Sequence, residues 1–246
     1  MKRCVLFSAL AISVAVPASA QLDPEAATGS RFLQDPATLD PDLVRQMTKD
    51  FGECLYDGRE KQSDALLAAS DYLAIDYENI GDASKMLSDR KFLNFCLGRA
   101  MTVRQRKVGM TISNKAIRTA LVEAAYLDQY RDRDEPIELP ESAPEVLPNR
   151  FFVEGESVDD ARAIASFSDC IVLNAPKEAH VIVHTDPASK EERAAINEIV
   201  PALGGCLPSG REMELTLESI RAMVADGLWA RSYYGPMLAE SENAAS

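Results

Sequence analysis

His180 and His184 are the only two histidines in the chain, and their i to i+4 spacing would put both imidazoles on one face of a helix, near enough to share a metal ion. A zinc site needs further ligands, however, and Val181-Ile182-Val183 between the rings carries no acid of an H-E-x-x-H pattern. The spacing assigns no metal, and surface or half-buried histidines are expected. A serine nucleophile would have to use one of the same two rings, and no G-x-S-x-G elbow, phosphate-cradling glycine loop or dinucleotide fingerprint is present. The 39 acidic residues could include a carboxylate pair for general acid–base work, but no spacing singles one out. No catalytic residue and no cofactor is assigned.

Two further groups could carry recognition. Arg99, Arg104, Arg106 and Lys107 form a basic cluster in an acidic chain, suited either to an acidic partner or to plain solvation. Arg118, Tyr126 and Tyr130, and in parallel Arg221, Trp229 and Tyr233, fall near one face of two predicted helices. Arginine and aromatics are enriched at binding hot spots, and they also finish cores and seal domain contacts. These six residues are the candidate interaction surface.

The parallel is part of a longer one. Phe51-Gly52-Glu53-Cys54-Leu55 is echoed by Phe167-Ser168-Asp169-Cys170-Ile171, and Cys96-Leu97 by Cys206-Leu207. Met110, Ile112, Ile117, Arg118, Leu121, Glu123, Tyr126 and Tyr130 align without a gap on Met213, Leu215, Ile220, Arg221, Val224, Asp226, Trp229 and Tyr233. Such an ordered series indicates an internal duplication. Met1–Ala20 has a basic start, an apolar run and a small-residue site, which is the anatomy of a cleaved export signal. Cys4 would leave with it, and the other four cysteines would meet an oxidising compartment. A unit that once folded alone closes its bridge internally, so Cys54 is expected to pair with Cys96, and Cys170 with Cys206.

The elements read as helical. Asp40-Pro41-Asp42 supplies a cap, a first-turn proline and an acid ahead of Leu43, Val44, Met47 and Phe51. Ser157 to Asp160 opens the second copy with an approximate capping box. His180 to His184 resembles a strand, but its counterpart Asp64 to Ala68 sits in a strong helix former, so both are taken as helices, with Asn174 as the cap of the second. A third helix follows from near Asp82, and in the second copy from the capping box Ser189 to Glu192, each running to the second cysteine, with Gly204-Gly205 marking the end in the second copy. A long helix capped by Ser113 or Thr216 closes each copy. The expected fold is all-α, with two tandem homologous units of about four helices at residues 39–131 and 151–235. Around them lie a flexible leader at 21–38, a proline- and acid-rich linker at 132–150 and a disordered acidic tail at 236–246.

The full chain carries a formal charge of −13, and loss of Lys2 and Arg3 makes the mature chain more acidic still. That field repels nucleic acid and anionic membrane surfaces. No later stretch is apolar enough to span a bilayer.

With F-x-[DE]-C, then C-L, then I-R-x-x-[LV]-x-[DE] and an aromatic, the chain resembles a group of uncharacterised exported alphaproteobacterial proteins with tandem disulfide-stapled helical units. Cys206-Leu207-Pro208-Ser209-Gly210 carries the likeness best, and Leu97-Gly98-Arg99 departs from it. The resemblance implies export, to the periplasm or beyond, and a tandem helical unit; it supplies no catalytic residues. The expected role is a non-catalytic interaction or scaffold module of the cell envelope with envelope proteins as partners. The alternatives are an envelope enzyme with an unrecognised carboxylate site and a small-ligand binder with a pocket in or between the units.

Overall fold

A computed structural model describes residues 40–101, 112–139, 157–207, 213 and 215–245. The expected export signal and leader, Arg104, Arg106, Lys107 and most of the expected linker lie outside them. The described residues hold eight helices and no strand, only an isolated bridge between Ser70 and Ile75.

Helix α1 spans Pro41–Ala68, capped as its sequence indicates: the Asp40 carboxylate accepts from the Asp42 N–H at 3.0 Å and Pro41 takes the first position. Met47, Phe51, Cys54 and Leu55 are buried along one stripe, and full burial of each large side chain contributes about 1.5–3 kcal/mol. The helix does not stop where two helices were expected. It bends at Arg59 (φ −151°, ψ 42°) and continues. Phe92 explains the position of the bend: a Cβ on Gly58 would sit 2.6 Å from its ring, and the Arg59 guanidinium lies 4.4 Å over the same ring.

The next helix is likewise divided otherwise than expected, into α2 (Ala83–Ser88) and α3 (Arg90–Ala100), because Asp89 leaves the helix to cap the Phe92 N–H at 3.1 Å. A disulfide from Cys54 to Cys96 fixes α3 on α1. Helix α4 (Asn114–Tyr130) is capped by Ser113 and is buried on nearly every side, which makes it a central element.

The second half holds α5 (Ser157–Asn174), α6 (Pro176–His184), α7 (Lys190–Cys206) and α8 (Leu217–Ala245). Cys170 and Cys206 bridge α5 to α7, the pairing expected from the sequence. Helix α7 ends at the second cysteine, as expected: Gly204 and Gly205, neither with positive φ, lie in its last turn, and the bridge at Cys206 anchors it. Two local expectations fail. Asn174 ends α5, its amide donating back to the Cys170 carbonyl at 2.8 Å, and Ala175 (φ −144°) separates it from α6. The tail does not begin at Pro236 as a disordered segment, since α8 runs through it to Ala245; the alanines and glutamates that follow the proline favour helix.

The described residues form one compact unit. Helices α4 and α8 pack together, α1 covers α4, and α5 covers α8. Phe51, Leu121 and Tyr126 from the first half and Phe167, Val224 and Trp229 from the second belong to the same buried cluster. The halves thus share an interior rather than enclosing separate ones. Both outer pairs involve a close approach at a glycine: a Cβ on Gly52 would lie 2.4 Å from the Ala120 carbonyl oxygen, and one on Gly227 would lie 2.6 Å from that of Ser168.

Candidate functional site

Arg221 of α8 organises the junction of the halves. Its Nε and Nη2 donate to the two carboxylate oxygens of Glu123 on α4, each at 2.8 Å. Nη1 donates to Glu192 of α7 at 3.0 Å and to the Ile182 carbonyl at 2.9 Å, while Nη2 reaches the carbonyls of Val183 and Thr185 at 3.1 and 2.9 Å. Those carbonyls close the C-terminal end of α6, where the helix dipole favours a cation.

Glu192 arrives through its capping box. Its N–H donates to the Ser189 hydroxyl at 3.0 Å, and its Oε2 accepts from the Ala188 N–H at 2.8 Å, with Ala188 in the left-handed region at φ 64°. The other oxygen is left for Arg221 and for Arg45 of α1, whose Nη2 donates at 2.6 Å. One turn on, Lys49 donates to Glu123 at 2.9 Å and to the Val183 carbonyl at 3.1 Å. Burial pushes the Glu123 carboxyl up, but the Arg221 hydrogen bonds and the charges of Arg221 and Lys49 outweigh it and hold the group below the usual carboxylate range. Burial likewise opposes the charge on Arg221, and Glu123 and Glu192 more than restore it.

A cavity of about 290 Å³ opens beside this network, walled by α1, α4, α8 and the α6–α7 turn. Val44, Ala120, Ala124 and Ala222 give it apolar walls, and Arg45, Lys49, Glu123 and Arg221 reach its surface. A carboxylate held ionised is the reverse of a general acid, so Glu123 is suited to fixing the cations and not to proton transfer.

Two other buried pairs join the long helices. Arg118 of α4 donates to Asp226 of α8, and its Nε donates to the Ser70 hydroxyl at 3.1 Å. Arg231 holds Asp169 with two parallel bonds of 2.5 Å.

The histidines are both on α6, yet His180 is buried and not superficial. Its Nε2 donates to the Arg133 carbonyl at 3.0 Å, which leaves Nδ1 to accept from the Tyr126 hydroxyl at 2.8 Å. Burial, aided by the charge of His184, depresses its basicity, with the Arg133 carbonyl opposing. His184 is half-buried, its ring nitrogens 2.8 and 3.1 Å from the carbonyls of His180 and Tyr130. Among the described residues no group of three or more His, Cys, Asp or Glu side chains could hold a metal ion.

The six residues of the expected interaction surface are not an open face. Arg118, Tyr126, Arg221 and Trp229 are buried inside the chain, and only Tyr130 and Tyr233 are partly exposed. These last two stack at equivalent places, Tyr130 on Tyr126 (4.6 Å) and Tyr233 on Trp229 (5.3 Å). Arg99 of the basic cluster is exposed near the end of α3. Sequence reasoning missed Arg45, Lys49 and Glu192 as site residues, since the Arg45–Glu192 pair spans 147 positions and nothing local announces it.

No protein-family model, curated protein or solved structure matches this chain.

Proposed function

We propose that the protein is an exported, non-catalytic binding module of the cell envelope whose recognition site is the cavity between α1, α4 and α8. The observation that carries this reading is the junction itself: a cavity of about 290 Å³ with apolar walls and fixed charges, contributed by both halves of the chain. Ligand sites of this kind, mostly apolar with a few oriented polar groups, recur between the helices of bundles. Its buried carboxylate is held ionised by two cations, which favours binding over proton-transfer chemistry.

Two disulfides suit an oxidising compartment. Together with the export-signal anatomy of Met1–Ala20, they support a periplasmic or secreted location. No helix among the described residues is long and apolar enough to cross a membrane. The chain is further proposed to be a fused tandem duplicate related to the exported proteins it resembles. Equivalent disulfides, equivalent aromatic stacks and reciprocal Arg–carboxylate pairs support that origin.

Native mass spectrometry of the protein isolated from its own envelope tests the reading. A non-covalent small-molecule adduct is expected, lost in an Ala222→Phe variant that fills the cavity while keeping its thermal midpoint. Absence of any adduct, with partners captured equally by both forms, would remove the cavity from the account.

A further inference from the structure

The cations around the cavity are not equally satisfied. In the buried network Arg45, Lys49 and Arg221 face two carboxylates, Glu123 and Glu192, and their side chains range from fully buried to 14% exposed. Glu53 approaches Lys49 at 3.8 Å, but it is 28% exposed and shared with Arg131 at 3.6 Å. Arg221 spends its donors on Glu123, Glu192 and the α6 carbonyls, and Lys49 on Glu123 and Val183. Arg45 differs: a single donor is engaged, on Glu192, and the rest of its five-donor guanidinium is available at the cavity wall.

We infer that the cavity binds a small organic monoanion, an aliphatic carboxylate whose head group sits on Arg45 and whose chain lies against Val44, Ala120, Ala124 and Ala222. This rests on the cavity being the binding site. Arginine's fork matches a carboxylate in geometry, and the donors that Arg45 does not place on Glu192 can take one. A dianion is disfavoured because Glu53 and Glu218 also line the cavity and repel a second charge. Size sets the length: at roughly 30 Å³ for each water-sized group, the space holds about ten heavy atoms, the size of octanoate.

The test uses the full mature chain with octanoate, octanol and octylamine as probes, followed by calorimetry and by amide NMR shifts at Thr48 and Thr119. Octanoate should bind saturably, with octanol and octylamine weaker by about tenfold or more, the scale of a charge-assisted hydrogen bond. Arg45→Gln should lose the preference for octanoate while keeping the helical signal, since Glu192 retains Arg221 and the Ala188 N–H. Should that variant unfold, the comparison of octanoate with octanol on the unaltered chain decides alone. Equal binding of octanol or octylamine, or undiminished octanoate binding by a folded Arg45→Gln, overturns the anion anchor and leaves the binding cavity standing. Failure of every probe to bind overturns both.

Discussion

Arg118 on α4 donates to Asp226 on α8, and the residues that align with them in the other half, Arg221 and Glu123, are joined in the opposite direction across the same pair of helices. Each half supplies an arginine to the other's acid. An exchange of this kind is what two fused copies of a pairing unit would produce, because a self-complementary contact places residue i against j and j against i. Its energetics are less generous than its geometry: a buried ion pair loses much of its Coulomb attraction to desolvation, but a partner left alone is costly.

Removing one member of the Arg118–Asp226 pair should therefore be severe. Arg118→Met is expected to destabilise by about 3–5 kcal/mol, and Arg118→Met with Asp226→Leu to recover most of that loss. Urea unfolding of both variants decides it. A double variant as unstable as the single one would mean that the pair contributes net stability of its own.

Acid sensitivity should have two causes. His180 has a depressed folded pKa, so the unfolded chain binds its proton first, and stability is present above the usual value of 6.5 and falls as the pH drops below it. Glu123 also has a depressed folded pKa, so its contribution is present above the usual 4.5 and is lost as the pH falls from there through the folded value. Urea midpoints should decline from about pH 7 to pH 5 in the native chain and decline less in His180→Gln. Identical slopes would exclude the histidine as a source.

Helical character, the caps at Asp40, Ser113 and Ser189 and the two disulfides were legible because each rests on local pattern or on the internal alignment of the sequence. The kink at Arg59 was not, since Phe92 creates it from another helix. The cavity was still less visible. Lys49 and Glu123 are 74 positions apart and Arg45 and Glu192 147, and in sequence all four look like ordinary members of solvated helix faces. The arginine and aromatic stripe was visible as a stripe, but periodicity alone could not show that Arg118 and Trp229 face another part of the same chain.

Close packing predicts opposite outcomes at two aligned positions. Gly52→Ala should destabilise by about 1–3 kcal/mol, because the added Cβ would meet the Ala120 carbonyl and adjacent backbone must move. Ser168, the aligned residue, has a fully buried hydroxyl with no hydrogen-bond partner. Ser168→Ala should be neutral or stabilising by up to about 1 kcal/mol, since it removes an unsatisfied group. Thermal midpoints of the two variants moving in the same direction would contradict the packing.

Cleaving the segment between residues 139 and 157 should leave the protein assembled, although the sequence alone suggests two units that separate. Three observations require it: α4 packs on α8, Arg118 and Arg221 each pair with a carboxylate of the other half, and the buried cluster draws on both. A half released alone would keep Arg118 or Asp226 without its charge partner and would uncover apolar surface of α4 or α8. The nicked protein should elute from gel filtration as one species and part only in denaturant. Trp229, now 1% exposed, then serves as the reporter: its emission should be blue-shifted in the nicked complex, move to the red in the isolated second half and return on mixing with the first. Fragments that elute separately with full helix content and an unshifted tryptophan would establish two independently folding units.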